Sequence, residues 1–171
     1  MSPAAVGIRI TPEDRLVFGL QLPIVAQTGV LTQPWELDGG ATEILRVAQA
    51  ADRLGYFYVS ACDHVCIPRD KAAAMSTAWY DPVATLGFVA AATRRIRLLT
   101  SVLVLPYRHP LITAKQFATL DALSNGRVIL GVGAGHVEAE FAQLGVDFRQ
   151  RGRLTDEAID LVRSAFLAEY P

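Results

Sequence analysis

One pattern runs from Leu16 onward: an apolar strand, a turn and an amphipathic helix, repeated four times. Strands that alternate with helices predict a parallel sheet wrapped by helices, because a crossover helix is how one parallel strand reaches the next. A closed barrel of this kind takes eight such units and about 250 residues, so 171 residues read as the first half of a (β/α)8 TIM barrel. The expected fold class is α/β, namely the first four βα units of that barrel, apparently truncated. Residues 1–15 read as an N-terminal tail and residues 16–171 as one half-barrel domain.

The first strand is expected at residues 16–22, closed by Pro23, with a loop over 26–40. Ile44, Leu45, Val47, Ala48, Ala51 and Leu54 then recur at helical spacing, and Gly55 supplies the stop. A second strand follows at 56–61. The loop over 63–80 is long for a compact domain and reads as a working segment. Asp81-Pro82 caps a second helix running to about Thr93, residues 97–104 make the third strand, and Pro110 opens a third helix ending near Ser124. Asn125-Gly126 turns the chain into a fourth strand at 127–132. A polar helix begins near Val137. A last helix carrying Ile159, Leu161, Val162 and Phe166 leads to Ala168-Glu-Tyr-Pro171, with no fifth strand.

Composition removes several function classes. With 51% apolar and 19% charged residues the chain can bury a core. A net charge of -1 leaves no electrostatic footprint for nucleic acid or anionic lipid. The longest apolar run, from Leu98 to Pro106, falls well short of the ~20 residues that cross a bilayer, so no membrane partner is expected. Two cysteines and no secretory leader fit a reduced, cytoplasmic protein.

Parallel barrels carry their chemistry where strands end and βα loops begin. Asp63-His64 stands directly after the second strand, where a carboxylate could orient an imidazole for proton transfer; the bland reading is a loop histidine satisfied by backbone. Cys62, His64 and Cys66 alternate and so offer a rival zinc reading. Their spacing is not that of structural zinc ligands, only His109 and His136 remain as nitrogen donors, and no metal is expected. Thr100-Ser101-Val102 ends the third strand and by itself says little. Gly131-Val-Gly-Ala-Gly135-His136 lets a ligand approach backbone ahead of a helix, but its G-x-G-x-G spacing after a fourth strand is not the dinucleotide fingerprint. Arg149, Arg151 and Arg153 are balanced by nearby acids and read as a solvated face. Trp35, Trp79 and Tyr107 fall in loops near the expected site.

Several segments in order resemble the luciferase-like monooxygenase superfamily, in its branch using the deazaflavin coenzyme F420. They are Phe18-Gly-Leu-Gln-Leu-Pro23, Ala48-x-x-Ala-Asp-x-Leu-Gly55, Asp63-His64 and Leu99-Thr-Ser-Val102, followed by Lys115-x-Phe-x-Thr-Leu-Asp-x-Leu-Ser124, Gly126-Arg-Val-x-Leu-Gly-Val-Gly-x-Gly135 and Glu140-Phe-x-x-Leu-Gly145. The resemblance implies a cofactor at the carboxyl end of the barrel, with Asp63 and His64 near its ring and His64 handling a proton. It implies a non-proline cis peptide behind the ring at Ser101-Val102, and a loop facing the cofactor's linker at Ala134, Gly135 and His136. His136 departs from the pattern, where an aromatic or acidic residue is more usual.

The implied activity is hydride transfer between the deazaflavin and a small organic substrate. The alternative is an FMN-dependent luciferase-like monooxygenase, which an acidic-His-His pattern would favour; here Val65 follows His64. A reading from another class is a non-catalytic fragment or partner half-barrel, since four units leave two sheet edges uncovered. A homodimer or a missing C-terminal half would cover them.

Overall fold

In the computed structural model, residues 10–167 are described; residues 1–9 of the expected tail and the Ala168–Pro171 ending lie outside them. Strands β1 (Gly19–Gln21), β2 (Tyr58–Ala61), β3 (Arg97–Thr100) and β5 (Val128–Ile129) form a parallel four-stranded sheet in the order β1-β2-β3-β5. Strands β4 (Leu103–Val104) and β6 (Val132–Gly133) form a second parallel pair. Helices α1 (Ala41–Leu54), α3 (Pro82–Ala92), α4 (Pro110–Ser124) and α6 (Arg151–Leu167) pack in succession, while α2 (Ala72–Met75) and α5 (Glu138–Gln143) are short. This is the α/β architecture of four βα units of a parallel barrel.

Helix boundaries follow the local chemistry. Gly55 adopts φ 80° at the end of α1, a left-handed conformation that glycine reaches without a Cβ penalty. Asp81 caps α3 by accepting a 2.8 Å hydrogen bond from the Ala84 amide. Asn125 (φ 57°) and Gly126 (φ 74°) turn the chain out of α4. The loop expected over 63–80 also holds α2.

The expected strands are shortened. Leu16 and Phe18 are exposed, so pairing starts at Gly19, and Tyr56 closes α1 by donating its amide to Ala51 O. The third strand is interrupted at a cis peptide between Ser101 and Val102, and the fourth at Leu130–Gly131. The two breaks are matched: Gly131 O accepts from both Thr100 Oγ1 and the Leu103 amide at 2.8 Å.

Side chains alternate across the sheet. Leu20, Val59, Leu98 and Val128 stand in register on one face and pack into the core with Ile44, Leu86, Val89 and Phe117. Burying each large apolar side chain contributes about 1.5–3 kcal/mol. Gln21, Ser60, Leu99 and Ile129 are in register on the opposite face, where Gln21 is exposed and Leu99 and Ile129 are half-buried. β1 and β5 are the edges. Among the described residues no helix is long and apolar enough to cross a membrane.

Two residues of the recognised segments hold this frame. The Arg127 guanidinium is buried and donates to Ser124 O, Thr93 Oγ1, Ile96 O and Ala90 O. The buried Asp52 carboxylate accepts from the amides of Arg94, Arg95 and Ile96 at 2.7–2.9 Å, joining α1 to the start of β3. Burial acts to raise its pKa, but these three donors outweigh it and hold the carboxyl below the usual aspartate range. Asp52→Asn is expected to cost about 2 kcal/mol near neutral pH through a lost charged acceptor. The folded pKa is the lower one, so this contribution is complete above the ordinary aspartate range and fades as pH falls through the folded value. Urea melts of the two proteins should therefore converge in acid; a gap that stays constant to about pH 2 contradicts the assignment.

Candidate active site

A cleft of about 430 Å³ opens where the strands end. Every residue expected at the site lines it: Asp63, His64, Ser101, Val102, Ala134, Gly135 and His136. Gln21, Thr28, Cys62, Trp79 and Tyr107 join them. Of the loop aromatics, Trp79 and Tyr107 face the cleft, whereas Trp35 lies against the outer side of α1.

Asp63 does not orient His64. Its buried carboxylate takes a paired interaction from the Arg108 guanidinium, at 2.7 Å to Oδ2 and 2.9 Å to Oδ1, and accepts the Val104 amide at 2.9 Å. Burial opposes the charge on Arg108, yet the Asp63 hydrogen bonds prevail and hold its pKa above the ordinary arginine value. Asp63 thus fastens the end of β2 to β4 and to the turn that follows.

The group orienting His64 is Glu140 on α5. His64 Nδ1 lies 2.7 Å from Glu140 Oε2, which also accepts from Tyr107 Oη at 3.0 Å. Glu140 Oε1 accepts the amides of Val65 (2.6 Å) and Cys66 (3.1 Å). The carboxyl is fully buried. Burial acts to raise its pKa, but the His64 hydrogen bond and the two amides prevail and keep it low. Tyr107 is pushed the other way, by burial and then by the Glu140 charge, and keeps its proton.

With Nδ1 engaged, His64 Nε2 has no hydrogen-bond partner among the described residues. Trp79 meets the imidazole edge-on at 4.3 Å between centroids, and the His136 ring lies 5.9 Å away. The His64 side chain is 12% exposed, so the ring is clamped. Cys62 is raised to about 11, by burial and then by the Asp63 charge, so its thiol keeps its proton. Cys66 is exposed. Among the described residues no group of three or more His, Cys, Asp or Glu side chains is placed to hold a metal ion.

Apolar and polar groups both border the cleft. Val102, 41% exposed, presents an apolar surface beside the cis peptide. Thr28 Oγ1 is buried without a partner and lines the same cleft. Gly133 leaves room that a Cβ would take, 2.7 Å from Val102 Cγ2, and Gly135 adopts φ 79°.

A parallel βα frame with a cleft at the carboxyl ends of its strands is the architecture of (β/α)8-barrel proteins, which carry their sites at that end. The chain belongs to the luciferase-like monooxygenase family, whose model matches residues 17–170. It is 33% identical over 127 residues to 4-hydroxyprotoasukamycin monooxygenase of Streptomyces nodosus subsp. asukaensis, covering 74% of this chain and 32% of that protein. It is 34% identical over 136 residues to F420-dependent glucose-6-phosphate dehydrogenase of Amycolatopsis mediterranei (strain U-32), covering 76% of this chain and 39% of that protein. The crystal structure of monooxygenase RslO1 from Streptomyces bottropensis superposes with a TM-score of 0.70 and 28% identity, over 87% of this chain and 42% of that one. The chain therefore spans well under half the length of these relatives.

Glu140 was not among the site residues expected from the sequence, where Tyr107 figures only as a loop aromatic near the site. The available signal was an acid beside Phe141 on a short helix, in a segment that resembles the family.

Proposed function

We propose that the chain forms the cofactor-facing part of an oxidoreductase that uses coenzyme F420 to exchange a hydride with a small organic substrate. The observation carrying this reading is His64 on the wall of the cleft: Glu140 holds its Nδ1, while Nε2 has no hydrogen-bond partner among the described residues. The similarity to an F420-dependent dehydrogenase supports the choice of cofactor, as does Val65 following His64. When bound, the deazaflavin supplies the hydride-carrying carbon.

The chain's residues do the rest. Val102 and the Ser101–Val102 peptide would support the ring, and the backbone at Ala134, Gly135 and His136 would border the linker. Thr28 Oγ1 offers a hydrogen bond at the edge. His64 takes up a proton at Nε2 and gives it back. The sheet's less buried face and its β1 and β5 edges are left for further strands, from a longer polypeptide or from a second copy.

Fluorescence titration with oxidised F420 and, separately, FMN tests the reading. Saturable F420 binding that weakens about tenfold in His64→Ala, the loss of one hydrogen bond, is expected. Preference for FMN would assign the chain to the flavin monooxygenases. Binding of neither by a folded chain would leave a non-catalytic fragment or partner.

A further inference from the structure

Glu140 carries four hydrogen bonds on a side chain that no water reaches. Two come from the Val65 and Cys66 amides, and two from the side chains of Tyr107 and His64. The two amides can only donate, and an ionised carboxylate can only accept, so it accepts from them and from the Tyr107 hydroxyl. An ionised acceptor beside an imidazole nitrogen selects the tautomer that carries its proton on that nitrogen.

We infer that Glu140 is a positioning residue for the chemistry of the cleft: it places the His64 proton on Nδ1 and so presents Nε2 to the ligand as a proton acceptor. The inference rests on reading His64 as the proton-handling group. Glu140 does not touch the cleft opening and acts through His64. The Trp79 and His136 rings limit how the imidazole turns, so Glu140 sets the tautomer while the aromatic neighbours set the tilt.

A purely structural role would be to tie residues 64–66 to α5 through the two amides. Glu140→Gln separates the two roles. The amide oxygen can still accept from Val65 and Cys66, but the NH2 group then faces His64 and Tyr107 and can only donate. His64 must accept at Nδ1 and carry its proton on Nε2, the reverse of the original arrangement. An Asp-to-Asn change behind a serine protease histidine acts in this way, holding the geometry while the wrong tautomer forms.

The test is nitrogen NMR of the His64 ring in the full chain, without cofactor, at a pH where the imidazole is neutral. A His64→Gln spectrum assigns the signal among the three histidines. The expected result is a protonated Nδ1 and an unprotonated Nε2, with the two exchanged in Glu140→Gln while circular dichroism is unchanged. An unchanged tautomer in a folded Glu140→Gln overturns the inference. If that variant fails to fold, the original chain decides alone: a proton on Nε2 there is equally fatal. A cofactor titration that fails beside the expected tautomer refutes the proposed function and leaves the His64 assignment standing. With both in place, Glu140→Gln should lower hydride-transfer turnover by about 10²–10⁴-fold.

Discussion

Asp63→Ala is expected to be the most damaging single change at the cleft, lowering stability by about 3–5 kcal/mol. The loss has two parts. The Arg108 guanidinium keeps its charge in a setting where its side chain is only 18% exposed, with its carboxylate gone. The buried Val104 amide loses its acceptor as well. For a chain of this length the melting midpoint should fall by roughly 6–20 °C. Arg108→Met removes the charge together with the guanidinium hydrogen bonds to Asp63, and the Asp63→Ala/Arg108→Met double variant should recover part of the loss, because no unpaired cation remains. Urea denaturation of the four proteins measures the coupling. A change below about 1 kcal/mol for Asp63→Ala would mean that the pair behaves as a surface ion pair and that Asp63 is free for another role.

Gly131→Ala should rank next. A Cβ there would stand 2.2 Å from the Thr100 carbonyl oxygen, which is backbone and cannot swing aside. The strands would have to part at the point where Gly131 O binds both Thr100 and Leu103. The expected cost is at least about 2 kcal/mol, with weaker ligand binding because the Ser101–Val102 peptide is displaced. Gly87→Ala is the matched control. It lies inside α3 with nothing within 4 Å of its Cβ position and should stabilise the chain by about 0.5–1 kcal/mol. Equal effects of the two substitutions would show that helix propensity, not crowding, governs the response.

What could be read from the sequence was what short-range chemistry decides. The α1 stripe ending at Gly55, the Asp81-Pro82 start of α3 and the Asn125-Gly126 turn each depend on neighbours within a few residues. The order of the βα units follows from their alternation. The breaks in the third and fourth strands were not legible from periodicity, since each strand is kinked by its contact with the other. The positions of the cleft residues were legible, but their hydrogen-bond partners were not. Asp63 is adjacent to His64, and adjacency suggested a pair; the actual partners are Arg108, 45 residues on, and Glu140, 76 residues beyond His64. Along a strand, consecutive side chains point to opposite sides, which already argues against a bond between neighbours at a strand end. Asp52 and Arg127 show the same limit. Both lie in segments that resemble the family, and both serve the frame.

The opposite loyalties of Asp63 and His64 bear on how such a chain can diversify. Mutational drift at Asp63 is checked by folding itself, whatever reaction the cleft supports. On the proposed function, position 64 is checked by chemistry, and so are positions 28 and 136 on the cleft wall, none of which anchors an element of the sheet. A lineage can revise what it accepts at those three positions without first rebuilding its scaffold. Adjacent codons are thereby exposed to unrelated selection pressures.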